Sequence, residues 1–442
     1  MPGRFGTDGI RGEVGPALDA PLALSLGRAV GHRLGGPGRS VVIGRDTRRS
    51  GEMLTAALAA GLAATGTGAV DLGVVTTPCL VHASAGERYS AGIMVSASHN
   101  PAADNGLKVV VGGRKADETT EEELDRLIDA GAQIPSRANH ELGRMGTDAD
   151  ALETYLHHLR DVAGDAFAGL RLGIDCANGS ASGVAPELFR SMGAEVTVLF
   201  DAPNGTNIND GCGSTHPERL SETVAAAGLE VGLALDGDAD RLIAVDERGA
   251  LVDGDAVMGI CALERLAAGT LRNNLLVATV MSNGGLERAV EQAGGRMVRT
   301  PVGDRHVFEA MERDDAVLGG EQSGHIIFRD RATTGDGLLT GIELVRSMRA
   351  SGQPLSELAA RIPRLPQVVI NSAVRRRDEW RQDQQFVAAV ERATTQMGER
   401  GRILVRPSGT ELKIRIMVEG DDAGEIDRIA RELATLAEAR LN

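Results

Sequence analysis

The sequence predicts an α/β protein made of three similar α/β domains in tandem and a smaller α+β domain at the C-terminus. Two observations carry this. A strand–turn–helix–strand pattern recurs three times, and the pattern changes after a pair of prolines, Pro363 and Pro366. The length agrees, because 442 residues exceed one ordinary core.

The first copy runs from Val41–Gly44 through a helix starting near Glu52 to the strand 68–72. The second is Leu172–Asp175, a helix over about 183–192, and 193–198. The third is Leu275–Ala278, a helix over about 285–292, and 294–298. Each copy has glycine between helix and returning strand, where a helix C-cap sits. Each is long enough for a parallel crossover. A dinucleotide-binding fold is disfavoured, because no G-x-G-x-x-G follows any of the first strands. After Pro366 the order becomes strand, helix (about 378–397), strand pair, helix. The last helix carries an apolar stripe at Ile426, Ile429, Leu433 and Leu436. The expected domains are 1–150, 151–252, 253–363 and 364–442.

Composition excludes several roles. Net charge is −15 and aromatics are 2% of residues, which argues against nucleic-acid binding by charge or by base stacking. The four cysteines are scattered without a C-x-x-C pair, so reduced thiols in a cytoplasmic protein are expected. The N-terminus lacks an apolar signal core, and the Ala/Gly-rich run near 56–75 is interrupted by threonines and Asp71, so no membrane span is expected. Of the 47 basic residues only Lys108, Lys115 and Lys413 are lysines. Arginine does not give up its proton in proteins and a lysine amine can, so Lys108 is a candidate acid/base.

Four loops carry chemistry. Leu235-Asp236-Gly237-Asp238-Ala239-Asp240-Arg241 places three alternating carboxylates after the apolar run Val231–Leu235. One tight loop can aim three hard oxygens at one cation, which suits Mg²⁺ or Ca²⁺ rather than zinc or copper. An EF-hand is the competitor, but its glycine position falls on Arg241, and the flanks read as strands rather than helices. The segment Gly92–Pro101 is an apolar strand ending in Ser96-Ala97-Ser98-His99-Asn100-Pro101. A serine hydrolase is disfavoured, because neighbours on extended chain point apart and no G-x-S-x-G elbow exists. A phosphorylatable serine fits better, with Ser96 and Ser98 both open. Lys108 lies ten residues beyond Ser98, within reach of a short hairpin. Gly319–His325 (GGEQSGH) offers a carboxylate, a hydroxyl and an imidazole suited to sugar hydroxyls. Arg406-Pro407-Ser408-Gly409-Thr410-Glu411 with Arg415 offers two guanidiniums and a glycine turn, a site for phosphate.

Together with Phe5–Gly12 (FGTDGIRG), these loops resemble the α-D-phosphohexomutase superfamily end to end. Within it, Asn207-Ile208-Asn209 followed by Cys212–Glu218, together with Asp8 and Gln322, is similar to the branch acting on glucosamine phosphates. The resemblance implies a heart-shaped protein with a central cleft. It implies a phosphoserine at Ser98, which with Asp236, Asp238 and Asp240 holds Mg²⁺. Glu321 and Ser323 bind the sugar, and Arg406, Ser408, Gly409, Thr410 and Arg415 bind the distal phosphate. Arg11, Lys108 and His325 stand near the transferring proton, with His99, Arg241 and Arg305 in support. The implied reaction interconverts glucosamine 6-phosphate and glucosamine 1-phosphate, primed by a 1,6-bisphosphate of glucosamine or a related sugar. That reaction supplies amino-sugar nucleotide and cell-wall precursor synthesis. A mannose or glucose specificity is the alternative, and a non-catalytic sugar-phosphate sensor is disfavoured by the intact set. A small sugar phosphate is the expected partner. Ser98 is loaded by a kinase, by autophosphorylation or by the primer, and the chain is a monomer or homodimer. One departure is Leu412, where the family has proline.

Overall fold

The structure, a computed structural model, describes residues 4–6, 8–130, 134–408 and 412–442. Among them are four sheets. The first has the order Ile10–Glu13, Asp104–Val111, Ala91–Val95, Ser40–Arg45, Gly68–Val74, Met145–Thr147, with Arg114–Lys115 hooked onto Asp104–Val111. The second runs Leu251–Val252, Leu242–Asp246, Val231–Leu235, Arg171–Asp175, Glu195–Leu199. The third runs Arg296–Thr300, Leu275–Thr279, Leu318–Gly320, Ile326–Phe328. The last is antiparallel, with Lys413–Gly420 between Gln367–Ala373 and Gly401–Pro407.

All three expected crossovers are present. Ser40–Arg45 pairs parallel with Gly68–Val74 across the helix Gly51–Ala64. Arg171–Asp175 pairs parallel with Glu195–Leu199 across Ala185–Ser191, and Leu275–Thr279 with Arg296–Thr300 across Gly284–Gln292. The glycine in each copy sits one residue past the cap. Gly66, Gly193 and Gly294 have φ of 87°, 94° and 83°. Each donates to the carbonyl three residues back (Ala63, Arg190, Glu291), and the following residue donates five back (Leu62, Phe189, Val290). This paired bonding closes the helix end and requires a left-handed residue, which glycine adopts without strain.

The strands Ala91–Val95, Val231–Leu235 and Leu275–Thr279 are buried along their whole length. Helices covering both faces of a sheet produce such unbroken apolar runs. One apolar core joins the first three units, reaching from Val42 through Phe189 and Leu276 to Ile362. The fourth unit has its own core around Phe386, Ile416 and Leu433. The expected single helix over 378–397 is two elements, a 3₁₀ stretch Arg377–Gln382 and the helix Gln384–Met397. The break lies at Asp383, whose side chain accepts the N–H of Phe386 at 2.9 Å and so starts a new helix. The fourth unit is tied to the third through a few polar contacts. Asn283 grips Leu365 through both ends of its amide, and buried Glu419 accepts from Gly284 N at 2.9 Å and Arg402 Nε at 2.8 Å.

Candidate active site

Three loops converge where the first three sheets meet. The strand Ala91–Val95 ends at the turn carrying Ser98, and Asp104–Val111 returns antiparallel with Lys108 opposite Met94. The hairpin predicted to bring Lys108 back is present. The carboxylate loop joins the antiparallel strands Val231–Leu235 and Leu242–Asp246. The third loop joins Leu318–Gly320 to Ile326–Phe328 and ends at His325.

Ser98 is buried and left-handed, with φ of 52°. That conformation costs a non-glycine residue about 1 kcal/mol or more, and persists only where the surroundings over-determine it. They do so here. Arg48, whose side chain is 0% exposed, places four of its five donors on this segment. Its Nη2 donates to the carbonyls of Ser98 at 3.0 Å and Asn100 at 2.8 Å. Nη1 donates to Pro101 and to Asp104 at 2.9 Å, and Nε to Asp46 at 2.9 Å. From the second unit, Asn209 Nδ2 donates to the same Ser98 and Asn100 carbonyls at 2.8 and 3.1 Å. Gly237 packs so closely beneath that a Cβ would lie 2.6 Å from the Ser98 carbonyl oxygen. Ala177, Asn178, Asn209 and Ala239 share the left-handed conformation, so strain concentrates in these loops.

The Ser98 hydroxyl donates to Asp236 Oδ2 at 2.5 Å and lies 3.2 Å from His99 Nδ1. Extended-chain reasoning separates those two side chains. The left-handed turn at Ser98 brings them together, although Asp236 rather than the ring receives the hydroxyl's shorter bond. Ser96 is committed elsewhere. Its hydroxyl donates to Asp46 at 2.6 Å and accepts the Ser98 N–H at 3.0 Å.

Asp236, Asp238 and Asp240 are buried, and a ligand oxygen from each lies within 4.8 Å of the others. Asp238 Oδ1 and Asp240 Oδ1 are buried without a hydrogen-bond partner. Carboxylate oxygens left so in a protein interior are costly unless a cation completes them. Three hard oxygens of this kind fit Mg²⁺. Burial, then Asp240 and Asp238, push Asp236 well above the usual carboxylate range. Burial also acts on Asp240, but Lys108 and His325 outweigh it and hold that group well below the range.

Lys108 is buried and donates to Asp238 Oδ2 at 2.7 Å, with Asp8 Oδ2 at 3.3 Å and Asp240 Oδ2 at 3.7 Å. Arg11 bonds Asp8, and Lys115 bridges Asp8 to Asp304. His325 lies between Asp240, 3.6 Å from Nδ1, and Asp304, 3.5 Å from Nε2. Two influences compete at this ring. Burial opposes its charge, but Asp240 and Asp304 set the net direction upward. The Gly335 N–H donates to Nε2 at 3.1 Å and favours the neutral ring. Arg241 is bonded to the triad through its N–H on Asp236 Oδ1 at 3.2 Å. Arg305 donates to Glu121 at 2.6 Å and the Ala116 carbonyl at 3.0 Å, joining the third unit to the first. A cavity of about 330 Å³ opens beside Lys115, Asp304, Arg305 and His325.

Glu321 accepts the Gly303 N–H at 3.1 Å, and exposed Ser323 donates to Glu321 at 3.4 Å. Arg406 and Arg415 face each other across the last sheet. Burial, and then Arg415, lower the Arg406 pKa. Like charges directly opposite repel, so this pair gains from an anion between them. Neither guanidinium bonds to the three convergent loops among the described residues. Ser408 is buried at the end of the same strand pair. Gly409 and Thr410 lie outside the described residues. Leu412 is exposed, and its carbonyl accepts the Val374 N–H at 3.0 Å.

Sequence reasoning missed Arg48, Asn209, Lys115 and Asp304 as site residues. Lysine scarcity marks Lys115, and the Asn207–Asn209 segment stands out in the sequence, but neither signal names the contact each residue makes.

Models of the phosphoglucomutase/phosphomannomutase alpha/beta/alpha domains I, II and III match residues 2–134, 153–249 and 253–365, and that of the C-terminal domain matches 369–436. A protein of Symbiobacterium thermophilum named phosphoglucosamine mutase is 49% identical over 447 residues, covering 100% of both chains. One of the same name from Moorella thermoacetica is 49% identical, covering 98% of each. The crystal structure of a phosphoglucomutase/phosphomannomutase family protein from Burkholderia thailandensis superposes with a TM-score of 0.85 at 30% identity, covering 100% of this chain and 99% of that one.

Proposed function

The chain belongs to the phosphoglucomutase/phosphomannomutase family, and from that premise we propose that it interconverts glucosamine 6-phosphate and glucosamine 1-phosphate through a phosphoserine at Ser98. The observation that carries this is the buried Ser98 hydroxyl set 2.5 Å from one member of a three-carboxylate cluster whose other members each keep a buried oxygen that accepts no hydrogen bond. The preference for glucosamine rests on the likeness to relatives named for that activity.

Phosphoserine 98 transfers its phosphoryl to O1 of glucosamine 6-phosphate. The serine hydroxyl leaves, and a glucosamine 1,6-bisphosphate forms. After the bisphosphate turns over, its 6-phosphoryl returns to Ser98 and glucosamine 1-phosphate is released. Phosphoryl transfer needs placement and charge neutralisation more than covalent help. Asp236, Asp238 and Asp240, with the Ser98 phosphate, would hold Mg²⁺, which supplies positive charge to the phosphoryl oxygens. Arg48 and Asn209 fix the serine. Lys108 takes the proton of the entering hydroxyl, with Arg11 and His325 beside it. Glu321 and Ser323 hold the ring by hydroxyls whose surroundings change least on reorientation, and the Arg406–Arg415 loop holds the phosphate that is not reacting. We place the unit boundaries near 150, 252 and 363, a 1,6-bisphosphate as primer, and the enzyme in the cytoplasm. No helix among the described residues is long and apolar enough to cross a membrane.

Initial rates on the 6-phosphates of glucosamine, mannose and glucose, each primed with its 1,6-bisphosphate, test this reading. The highest kcat/KM is expected for glucosamine, with measurable rates on the others. A clear preference for mannose or glucose overturns it.

Lys108→Arg separates a base from a charge. Arginine keeps the charge facing Asp238 but cannot give up its proton. Turnover is expected to fall on the order of 10²-fold, the size of a lost general base. If arginine restores most of what alanine loses, Lys108 is a charge and His325 becomes the base.

A further inference from the structure

We propose that Thr77 is a positioning residue for the cation site, reaching it from outside the carboxylate loop. This rests on the reading of the triad as a divalent-cation site. Thr77 opens the short helix Thr77–Ser84 of the first unit and is buried. Its hydroxyl donates to Asp238 Oδ2 at 2.6 Å, and its backbone N–H donates to the Asp238 carbonyl at 2.9 Å. The two residues are 161 apart in sequence, so the contact exists only because two units dock.

The partition of the Asp238 oxygens gives this contact its consequence. Oδ2 accepts from both Thr77 and Lys108, and Oδ1 is buried with no partner. A carboxylate held at one oxygen by one flexible lysine can rotate about its last bond. Held also by a threonine that is itself fixed through its main chain, it presents Oδ1 in one direction. Partners beyond the immediate ligands orient carboxylates at metal sites in this way, and losing one commonly lowers affinity 10- to 100-fold. Thr77 also keeps the Lys108 ammonium from being the sole anchor of Asp238 Oδ2.

The test uses full-length, dephosphorylated protein and Mn²⁺ as the probe, with free Mn²⁺ read by electron paramagnetic resonance. Wild-type protein and the Asp238→Asn, Thr77→Val, Thr77→Ala and Thr77→Ser variants are compared. Asp238→Asn is expected to abolish tight binding, which assigns the bound ion to the triad. Thr77→Val keeps the shape and removes the donor, and is expected to weaken binding about 10-fold or more. Thr77→Ser keeps the donor, and is expected to restore affinity to within about threefold of wild type. Wild-type affinity in Thr77→Val overturns the positioning role while leaving the site intact. Binding that Asp238→Asn leaves untouched overturns the cation reading itself. If the valine variant does not fold, the comparison passes to alanine and serine. A weakened alanine variant beside a normal serine variant supports the role, and equal affinities overturn it.

Discussion

Ser98→Ala is expected to lower turnover by at least about 10⁴-fold, because it removes the atom that carries the phosphoryl group between the two half-reactions. Neighbouring hydroxyls cannot substitute. The Ser96 hydroxyl is buried, donates to Asp46 at 2.6 Å and supports the Ser98 N–H, so its bonding is already committed to the loop. Ser98 alone of the two places its oxygen 2.5 Å from Asp236. Initial rates and peptide mass spectrometry of protein incubated with bisphosphate check this together. Wild-type protein should carry one phosphate at Ser98, and Ser98→Ala none. Retained activity in the alanine variant, or phosphate mapping to Ser96, removes Ser98 from the mechanism.

Asp238→Asn is expected to lower turnover on the order of 10³-fold, and excess chelator to do the same to wild-type protein, since several kcal/mol of charge neutralisation are lost. Asparagine can still accept from Thr77, so packing is preserved, while one buried negative charge disappears. Burial and Asp240 push the Asp238 pKa up, but Lys108 and Thr77 outweigh them and keep the group below its usual value. The carboxylate is therefore charged at neutral pH. The lost charge faces buried Lys108 at 2.7 Å, so the melting temperature of Asp238→Asn is also expected to fall, whereas chelator removes no protein charge and should leave that contact in place. Full rates in chelator, with added Mg²⁺ giving no increase, exclude a cation role.

Local sequence carried the elements and the loop chemistry further than the contacts between units. Gly66, Gly193 and Gly294 mark helix ends because the left-handed residue there is a backbone requirement, visible within six positions. The Asp236–Asp240 loop and the Lys108 hairpin are likewise local, and their strands pair as their apolar runs predict. Arg48 could not be read in this way. Arginine is the ordinary base in this chain, and nothing nearby says that this one is buried with four of its five donors on loop carbonyls. Asn209, Thr77 and Asp304 act across 111, 161 and 189 residues, through docking that no local pattern encodes. Extended geometry separates Ser98 from His99, but the surrounding clamp holds Ser98 left-handed and brings its hydroxyl to 3.2 Å from the ring. The helix expected over 378–397 failed at Asp383 for a local reason, a capping carboxylate inside an otherwise helical run.

The Ser98 and Asn100 carbonyls are shared between Arg48 of one unit and Asn209 of the next. This makes the reactive loop a property of the seam rather than of either part. Three look-alike units invite the idea of a modular gene, assembled by duplication and open to shuffling. A crossover near residue 150 would nevertheless hand the serine to a neighbour that had not been selected to hold it. Chimeras between relatives should therefore keep activity only when the 98–105 and 207–213 segments travel together. Likeness between the units does not make them interchangeable, because the shared carbonyls set how far the pieces can be exchanged.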